Sequence, residues 1–181
     1  MRIVQIKDDY IELLIRKFPH VMDNKRFHRN HTRKYIGVIF KVGEFTYYAP
    51  FSSPKPKDFK PDGNVKRSDL FCLRMLEGGE NGVRKLLGTV KLNNMIPIPE
   101  KYIEDYSIDD EPDEKYRDVV KAEFKWLSEN SSRLSKAART IYYFKKSEMK
   151  NKNDQNCKVY DAILPFEEIE KFIFSMLKSV I

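Results

Sequence analysis

Apolar and polar residues follow two regimes along this chain: short alternating or continuous runs up to about residue 100, and helical spacing after residue 113. Arg2–Ile6 reads as a short strand. Asp8 or Asp9 then caps a helix whose Ile11, Leu14, Ile15 and Phe18 recur every three to four positions until Pro19 stops it. Residues 35–42 form an almost continuous apolar run of strand length, the pattern of a central strand covered on both faces. From residue 45 the period becomes two: Phe45, Tyr47, Ala49 and Phe51 alternate with Thr46, Tyr48, Pro50 and Ser52. Gly43-Glu44 joins these strands as a hairpin, because glycine at the first central position suits a type II′ turn. Leu70–Leu76 and Lys85–Leu92 read as two more strands around a glycine-rich turn over residues 78–82. Residues 93–99 close the segment as an extended edge, as Pro97 and Pro99 require.

The second regime follows an acidic linker over residues 107–114. Tyr116, Val119, Val120, Phe124 and Leu127 share one helical face, and Leu134, Ala137, Ala138 and Ile141 share another in a helix started by Ser131 or Ser132. Residues 147–156, rich in Lys, Asn and Asp, read as a mobile loop. Pro165 opens a last helix at its first position, with Glu167, Glu168 and Glu170 early and Lys178 late, as the helix dipole favours. Its Phe166, Ile169, Ile173, Met176, Leu177 and Val180 form a core face. The sum is one α+β domain over residues 1–181. It has a compact antiparallel sheet or partial barrel in the first hundred residues, peripheral helices and a C-terminal helix.

Charge changes this picture by where it lies. The net charge is +7, and two loops hold all of the excess. Residues 20–34 set Lys25, Arg26, Arg29, Arg33 and Lys34 against Asp23, and residues 53–67 set Lys55, Lys57, Lys60, Lys66 and Arg67 against Asp58 and Asp62. His20, His28 and His31 also fall in the first loop. The loops precede and follow one hairpin, so they attach at the same open end of it and bring Arg33 toward Lys55. Cations gathered in this way read as a footprint for a polyanion, nucleic acid above all. Nothing in the sequence reads as a membrane span or a signal peptide, and Cys72 and Cys157 form no redox or metal spacing. The expectation is a cytoplasmic protein with reduced thiols.

The chemistry at hand is narrow. His28 and His31 have only Asp23 as a neighbouring carboxylate, short of the three or four ligands of a zinc site. Ser52-Ser53 lacks a nucleophile elbow, and the glycines near residue 80 lack the lysine and strand-to-helix setting of a nucleotide cradle. What remains is RNA chemistry, in which the 2′-hydroxyl attacks the adjacent phosphate and the protein positions the backbone, neutralises charge and moves protons. Lys55 and Arg33 suit charge neutralisation, and Ser52 and Ser53 suit hydrogen bonding to phosphate. His28 or His31 suits proton transfer, and Phe27, Tyr48 and Phe59 suit stacking on bases. The same residues suit a module that binds RNA without cutting it.

Three stretches go further. Tyr35-Ile-Gly-Val-Ile-Phe40, Tyr48-Ala-Pro-Phe-Ser-Ser-Pro-Lys55 and Leu92-Asn-Asn-Met-Ile-Pro-Ile-Pro99 resemble, in order and spacing, the ToxN/AbiQ family of endoribonuclease toxins from type III toxin–antitoxin systems. The resemblance implies a MazF/Kid-like sheet core and metal-independent RNA cleavage with no cofactor, often in abortive phage infection. It implies inhibition by a folded, tandemly repeated antitoxin RNA in a closed toxin–RNA ring. It places active-site hydroxyls on Ser52 and Ser53, the active-site lysine on Lys55 and a basic residue on Arg33. Family members carry a tyrosine before that basic residue. Residues 19–34 contain none, so either the proton-transfer role falls to His31, His28 or Arg29, or the tyrosine is dispensable. Lys25, Arg26, Lys34, Lys57, Lys60, Lys66 and Arg67 complete the expected RNA contacts.

Overall fold

The computed structural model describes residues 2–24, 33–78, 84–148 and 160–178. Within them, seven strands form one sheet: β1 Arg2–Ile6, β2 Tyr35–Val42, β3 Phe45–Ser52, β4 Cys72–Gly78, β5 Arg84–Lys91, β6 Ile96–Pro97 and β7 Ile103–Asp105. Four helices accompany them: α1 Asp8–Lys17, α2 Glu114–Glu129, α3 Ser131–Glu148 and α4 Phe166–Lys178. The strand order is β4-β5-β3-β2-β1-β7, with β6 also on β3, and every pairing among the described residues is antiparallel. The curled antiparallel sheet with helices packed on it is the expected α+β architecture.

Strand β3 organises the sheet. One edge pairs with β2 across the Gly43 turn, where φ of +53° lies in the left-handed region that glycine adopts without a Cβ clash. The other edge takes β5 near its end, at Phe51 and Ser52, and β6 further back, at Tyr47 and Tyr48. The tight turn Leu92–Asn94 separates those two pairings and bends the sheet. Pro97 is accommodated in the two-residue strand β6, and Pro99 lies beyond it.

Both faces of β3 are covered from Tyr47 to Ser52, so alternation decides which neighbours each side chain meets. Phe40, Tyr47, Tyr142 and Phe166 stack and cross edges at the joint of β2, β3, α3 and α4. Within this cluster the Tyr47 and Tyr142 hydroxyls both donate to the Glu170 carboxylate, at 2.7 and 3.1 Å. Helix α2 is capped by Asp113, which accepts the Tyr116 N–H at 3.1 Å, and buries Val120 and Leu127.

Three expectations need correction. Strand β4 begins at Cys72 rather than Leu70, because the Asp69 carboxylate accepts the N–H groups of Phe71 and Cys72 and holds that stretch in a turn. Strand β7 had no signal of its own: three residues are too few to show a period, and pairing with β1 creates it. Tyr48, expected as a stacking platform, is fully buried. The turn over residues 79–82, most of the 147–156 loop, Cys157 and Val180 lie outside the described residues.

Glu123 of α2 is a buried acid with a consequence for stability. It is 6% exposed and lies over Gly88 of β5, where any side chain would meet its carboxyl oxygen, with Met75 and the Ser52 carbonyl close behind. Burial pushes its carboxyl up to about 8, from 4.5. Between those values the unfolded chain ionises Glu123 while the folded chain keeps it protonated, so stability falls as pH rises through the window. Urea denaturation from pH 5 to 9 should show the protein losing about 4 kcal/mol relative to Glu123→Gln, whose own profile lacks this slope. Parallel profiles for the two proteins would contradict the assignment.

Candidate active site

The sheet register assembles a polar surface that no single segment contains. Ser52 of β3 lies opposite Thr89 of β5, and Thr89 lies opposite Arg74 of β4. Alternation puts these three side chains on one face, with Cys72 and Lys91, paired with each other, next to them. The neighbouring row, Phe51, Val90 and Leu73, points the other way and is buried in the core. Thr89 fixes the end of β3 by donating its hydroxyl to the Ser52 carbonyl at 3.2 Å.

The chain after Ser52 folds back over this face. Pro56–Asp58 makes one tight turn, Phe59 bridges Val65, and Gly63 takes φ of +81° between them. Asp58, 1% exposed, is the fastener. One carboxylate oxygen accepts the backbone N–H of Lys55 at 3.0 Å, and the other accepts a terminal N–H of Arg74 at 3.3 Å. Arg74 is itself buried, and its other terminal nitrogen donates to the Arg67 carbonyl at 2.6 Å. Asp69 stands 3.5 Å from the same nitrogen. The loop is thus pinned to β4 at both of its ends.

Between loop and sheet opens a cavity of about 400 Å³. Lys55, Lys57, Arg74 and Lys91 line it against the carboxylates of Asp58 and Asp69, so it is net positive. Ser52, 4% exposed, lies on its floor and Lys55 is exposed at its rim, while Ser53 is exposed but does not line it. Met22, Phe71, Asn93 and Asn94 complete the wall. The asparagine amides are anchored: Asn93 donates to the Ala162 carbonyl at 2.7 Å and Asn94 to the His20 carbonyl at 3.3 Å.

Arg33 occupies a different place from the one its charge suggested. It is 4% exposed, donating from Nε to the Asp23 carbonyl at 3.0 Å and from a terminal nitrogen to the Phe51 carbonyl at 2.5 Å. It therefore braces the strand end beside Ser52 against residues 22–24 and has little surface left for a phosphate. Lys34 also turns inward. Its ammonium sits 3.8 Å over the Tyr106 ring, and burial pulls its pKa below the usual lysine range despite nearby Glu111. Lys57, Lys60, Lys66 and Arg67 are exposed on the folded loop. Lys25, Arg26, Phe27, His28, Arg29 and His31 lie outside the described residues. The chain leaves for that stretch at Asn24 and returns at Arg33, both tied to this end of the molecule.

The comparisons with known proteins now bear on this pocket. A family model described as toxin ToxN of the type III toxin–antitoxin system matches residues 2–171. The chain belongs to the ToxN toxin family. It is 28% identical over 139 residues to the endoribonuclease ToxN of Bacillus thuringiensis subsp. kurstaki, covering 76% of this chain and 64% of that protein. It is 31% identical over 100 residues to the endoribonuclease AbiQ of Lactococcus lactis subsp. lactis, covering 55% and 52%. The chain thus spans under two thirds of the length of these relatives. A solved structure concerning selective inhibition of a type III toxin by a non-coding RNA pseudoknot superposes with a TM-score of 0.78 at 22% identity, covering 97% of this chain and 96% of that one. That likeness establishes the shared fold.

Within this ToxN-family fold, the pocket residues that sequence reasoning missed are Arg74, Lys91 and Asp58. A visible signal was Arg74 itself, a guanidinium in the middle of the apolar run Leu70–Leu76. Because the Asp58–Arg74 pair is buried, removing one partner strands the other charge away from water. Asp58→Ala should lower the unfolding free energy by about 3–5 kcal/mol in urea titrations. A loss under about 1 kcal/mol would show that the pair does not fasten the loop.

Proposed function

We propose that this chain is an RNA-cutting toxin of the ToxN kind, and that the cavity beneath the 53–69 loop is its active site. The observation that carries this reading is the juxtaposition of Ser52 on the cavity floor with Lys55 on its rim, in a pocket where cations outnumber carboxylates. The names of the two relatives, both endoribonucleases, point the same way.

In this mechanism the RNA supplies its own nucleophile. The 2′-hydroxyl attacks the adjacent phosphorus, the bond to the 5′-oxygen breaks, and the products are a 2′,3′-cyclic phosphate and a 5′-hydroxyl. Lys55 stabilises charge building on the phosphoryl oxygens, while Ser52 and Ser53 donate hydrogen bonds that hold the phosphate. His31, with His28 beside it in sequence, moves protons from the loop between Asn24 and Arg33. Lys57, Lys60, Lys66 and Arg67, together with Lys25, Arg26 and Arg29, track the RNA backbone. Arg33 acts by holding the strand end that carries Ser52.

The donor set argues for chemistry without a metal. Mg²⁺ is bound through carboxylate oxygens. Both carboxylates of this pocket are already committed, Asp58 to Lys55 and Arg74, and Asp69 to Phe71, Cys72 and Arg74. A folded antitoxin RNA, encoded as tandem repeats and closing a ring with the toxin, would occupy the same cationic surface and hold the enzyme in check. The site of action is the cytoplasm, during phage infection. No helix among the described residues is long and apolar enough to cross a membrane.

Lys55→Ala should reduce RNA cleavage at least a hundredfold, in line with the loss of a charge stabiliser, and should abolish toxicity. EDTA should leave cleavage by the unaltered protein intact, and the products should carry cyclic phosphate ends. Full activity in Lys55→Ala, or loss of activity in EDTA, would refute the mechanism. RNA binding with no discrete products would favour a sequestering module instead.

A further inference from the structure

The polar face of the sheet carries two clusters of cations and hydroxyls rather than one. Ser52 and the Lys55 loop stand at the end of β3. Arg74 is two strands away in the same row, with Thr89 between, which separates the two backbones by roughly 10 Å. Lys91, on the intervening strand, leans away from Ser52. Its ammonium lies 2.9 Å from the sulfur of Cys72, on the same strand as Arg74. The two cations therefore gather over β4, at the far side of the cavity from the proposed scissile position.

Each of them is short of hydrogen-bond partners of full strength. A thiol is a weak acceptor, and it takes one of the three N–H donors of Lys91. Arg74 has its terminal nitrogens on Asp58, Asp69 and the Arg67 carbonyl, yet its Nε is buried with no partner. Only one other buried side-chain polar atom among the described residues shares that condition, Asn24 Oδ1. An unpartnered buried donor is uncommon enough to need a reason. Asp58 and Asp69 face the charge of Arg74, so the positive field that remains in the cavity comes from Lys55, Lys57 and Lys91. In a recess walled by protein, such a field concentrates anions.

We propose that Lys91 and Arg74 form a second phosphate subsite, which takes the phosphodiester next to the one being cut. Lys91 makes the contact, and Arg74, whose charge Asp58 and Asp69 already face, fixes the wall beneath it. This rests on the endoribonuclease reading and adds to it a reason for in-line geometry. A single strand held at one phosphate swivels about it. Held at two successive phosphates, by Lys55 on one side of the cavity and Lys91 on the other, its sugar–phosphate backbone has one path across the floor. The subsite reads no base, so it strengthens binding alike for every sequence that enters.

The test uses a short RNA whose cut linkage has been mapped, and versions of it with one neighbouring phosphodiester replaced by an uncharged methylphosphonate. Lys91→Gln should cut the unmodified RNA with kcat/KM roughly tenfold lower, the loss residing in KM. Its thermal midpoint should match that of the unaltered protein. Lys91→Arg should retain most of the activity, because arginine also binds phosphate. The unaltered protein should lose a similar roughly tenfold factor when one particular neighbouring linkage is neutral, and Lys91→Gln should lose nothing further with that RNA. At the other linkages the two losses should multiply. Activity of Lys91→Gln equal to that of the unaltered protein would overturn the subsite. So would a loss confined to kcat, or losses that multiply at every linkage. If the unaltered protein cuts no RNA, so that no linkage can be mapped, the endoribonuclease reading falls and the subsite with it; if it cuts and Lys91→Gln is indifferent, only the subsite falls.

Discussion

The buried pair of Asp58 and Arg74 is the constraint on which the pocket depends. Taking both charges out of water is costly, and such pairs contribute little net stability unless their remaining donors and acceptors are met. Here most of them are. Asp58 also holds the Lys55 N–H, and Arg74 also holds the Arg67 carbonyl. The outcome is positional. One side chain ties the start of the 53–69 loop to the middle of β4, and its partner ties the end of that loop to the same place. Without that fastening the loop would be two basic arms with no fixed relation to Ser52. With it, Lys55 is delivered to the rim of a cavity whose floor is the end of β3.

The cavity floor and the hydrophobic core are two sides of the same three strands. Leu73, Val90 and Phe51 face inward, and Arg74, Thr89 and Ser52 face the cavity, one residue later or earlier on each strand. A one-residue slip of register would exchange these rows and place an arginine in the core. The register is therefore held from both sides. Thr89 bonds the Ser52 carbonyl on the cavity side, and the close approach of Glu123 to Gly88 sets α2 against β5 on the core side. A buried neutral carboxyl behind the strand that carries the site is the cost of that close packing.

Most of the fold was legible because it rests on local period. The strands other than β7, the Gly43 turn and the faces of α2, α3 and α4 follow from spacing within one segment. Ser52 and Lys55 were legible for a related reason: a period-two run that breaks at Ser-Ser-Pro-Lys marks a strand end, and strand ends present side chains. Arg33, Lys34 and Tyr48 were misplaced because a residue's charge or ring does not tell which way its side chain turns. Each is recruited inward by a partner distant in sequence: the Phe51 carbonyl for Arg33, the Tyr106 ring for Lys34 and the sheet interior for Tyr48. Arg74 and Lys91 escaped notice for the converse reason. Each is flanked by apolar residues in sequence, and only the pairing of β4 with β5 and β3 sets them facing the same space as Ser52.

That dependence on register bears on how a folded RNA would inhibit such a protein. Cations placed on a sheet face, unlike those on a free loop, hold fixed distances from one another. Phosphates offered at matching distances are bound without ordering the protein, and phosphates offered at other distances meet fewer partners. A substrate strand, being flexible, reaches the right spacing by losing conformational freedom. A pre-folded RNA that already holds its phosphates at that spacing avoids the loss. On the proposed function, the rigidity that aligns a linkage for cutting is also what lets a structured RNA outcompete the substrate at the same site, with no contact unique to the inhibitor.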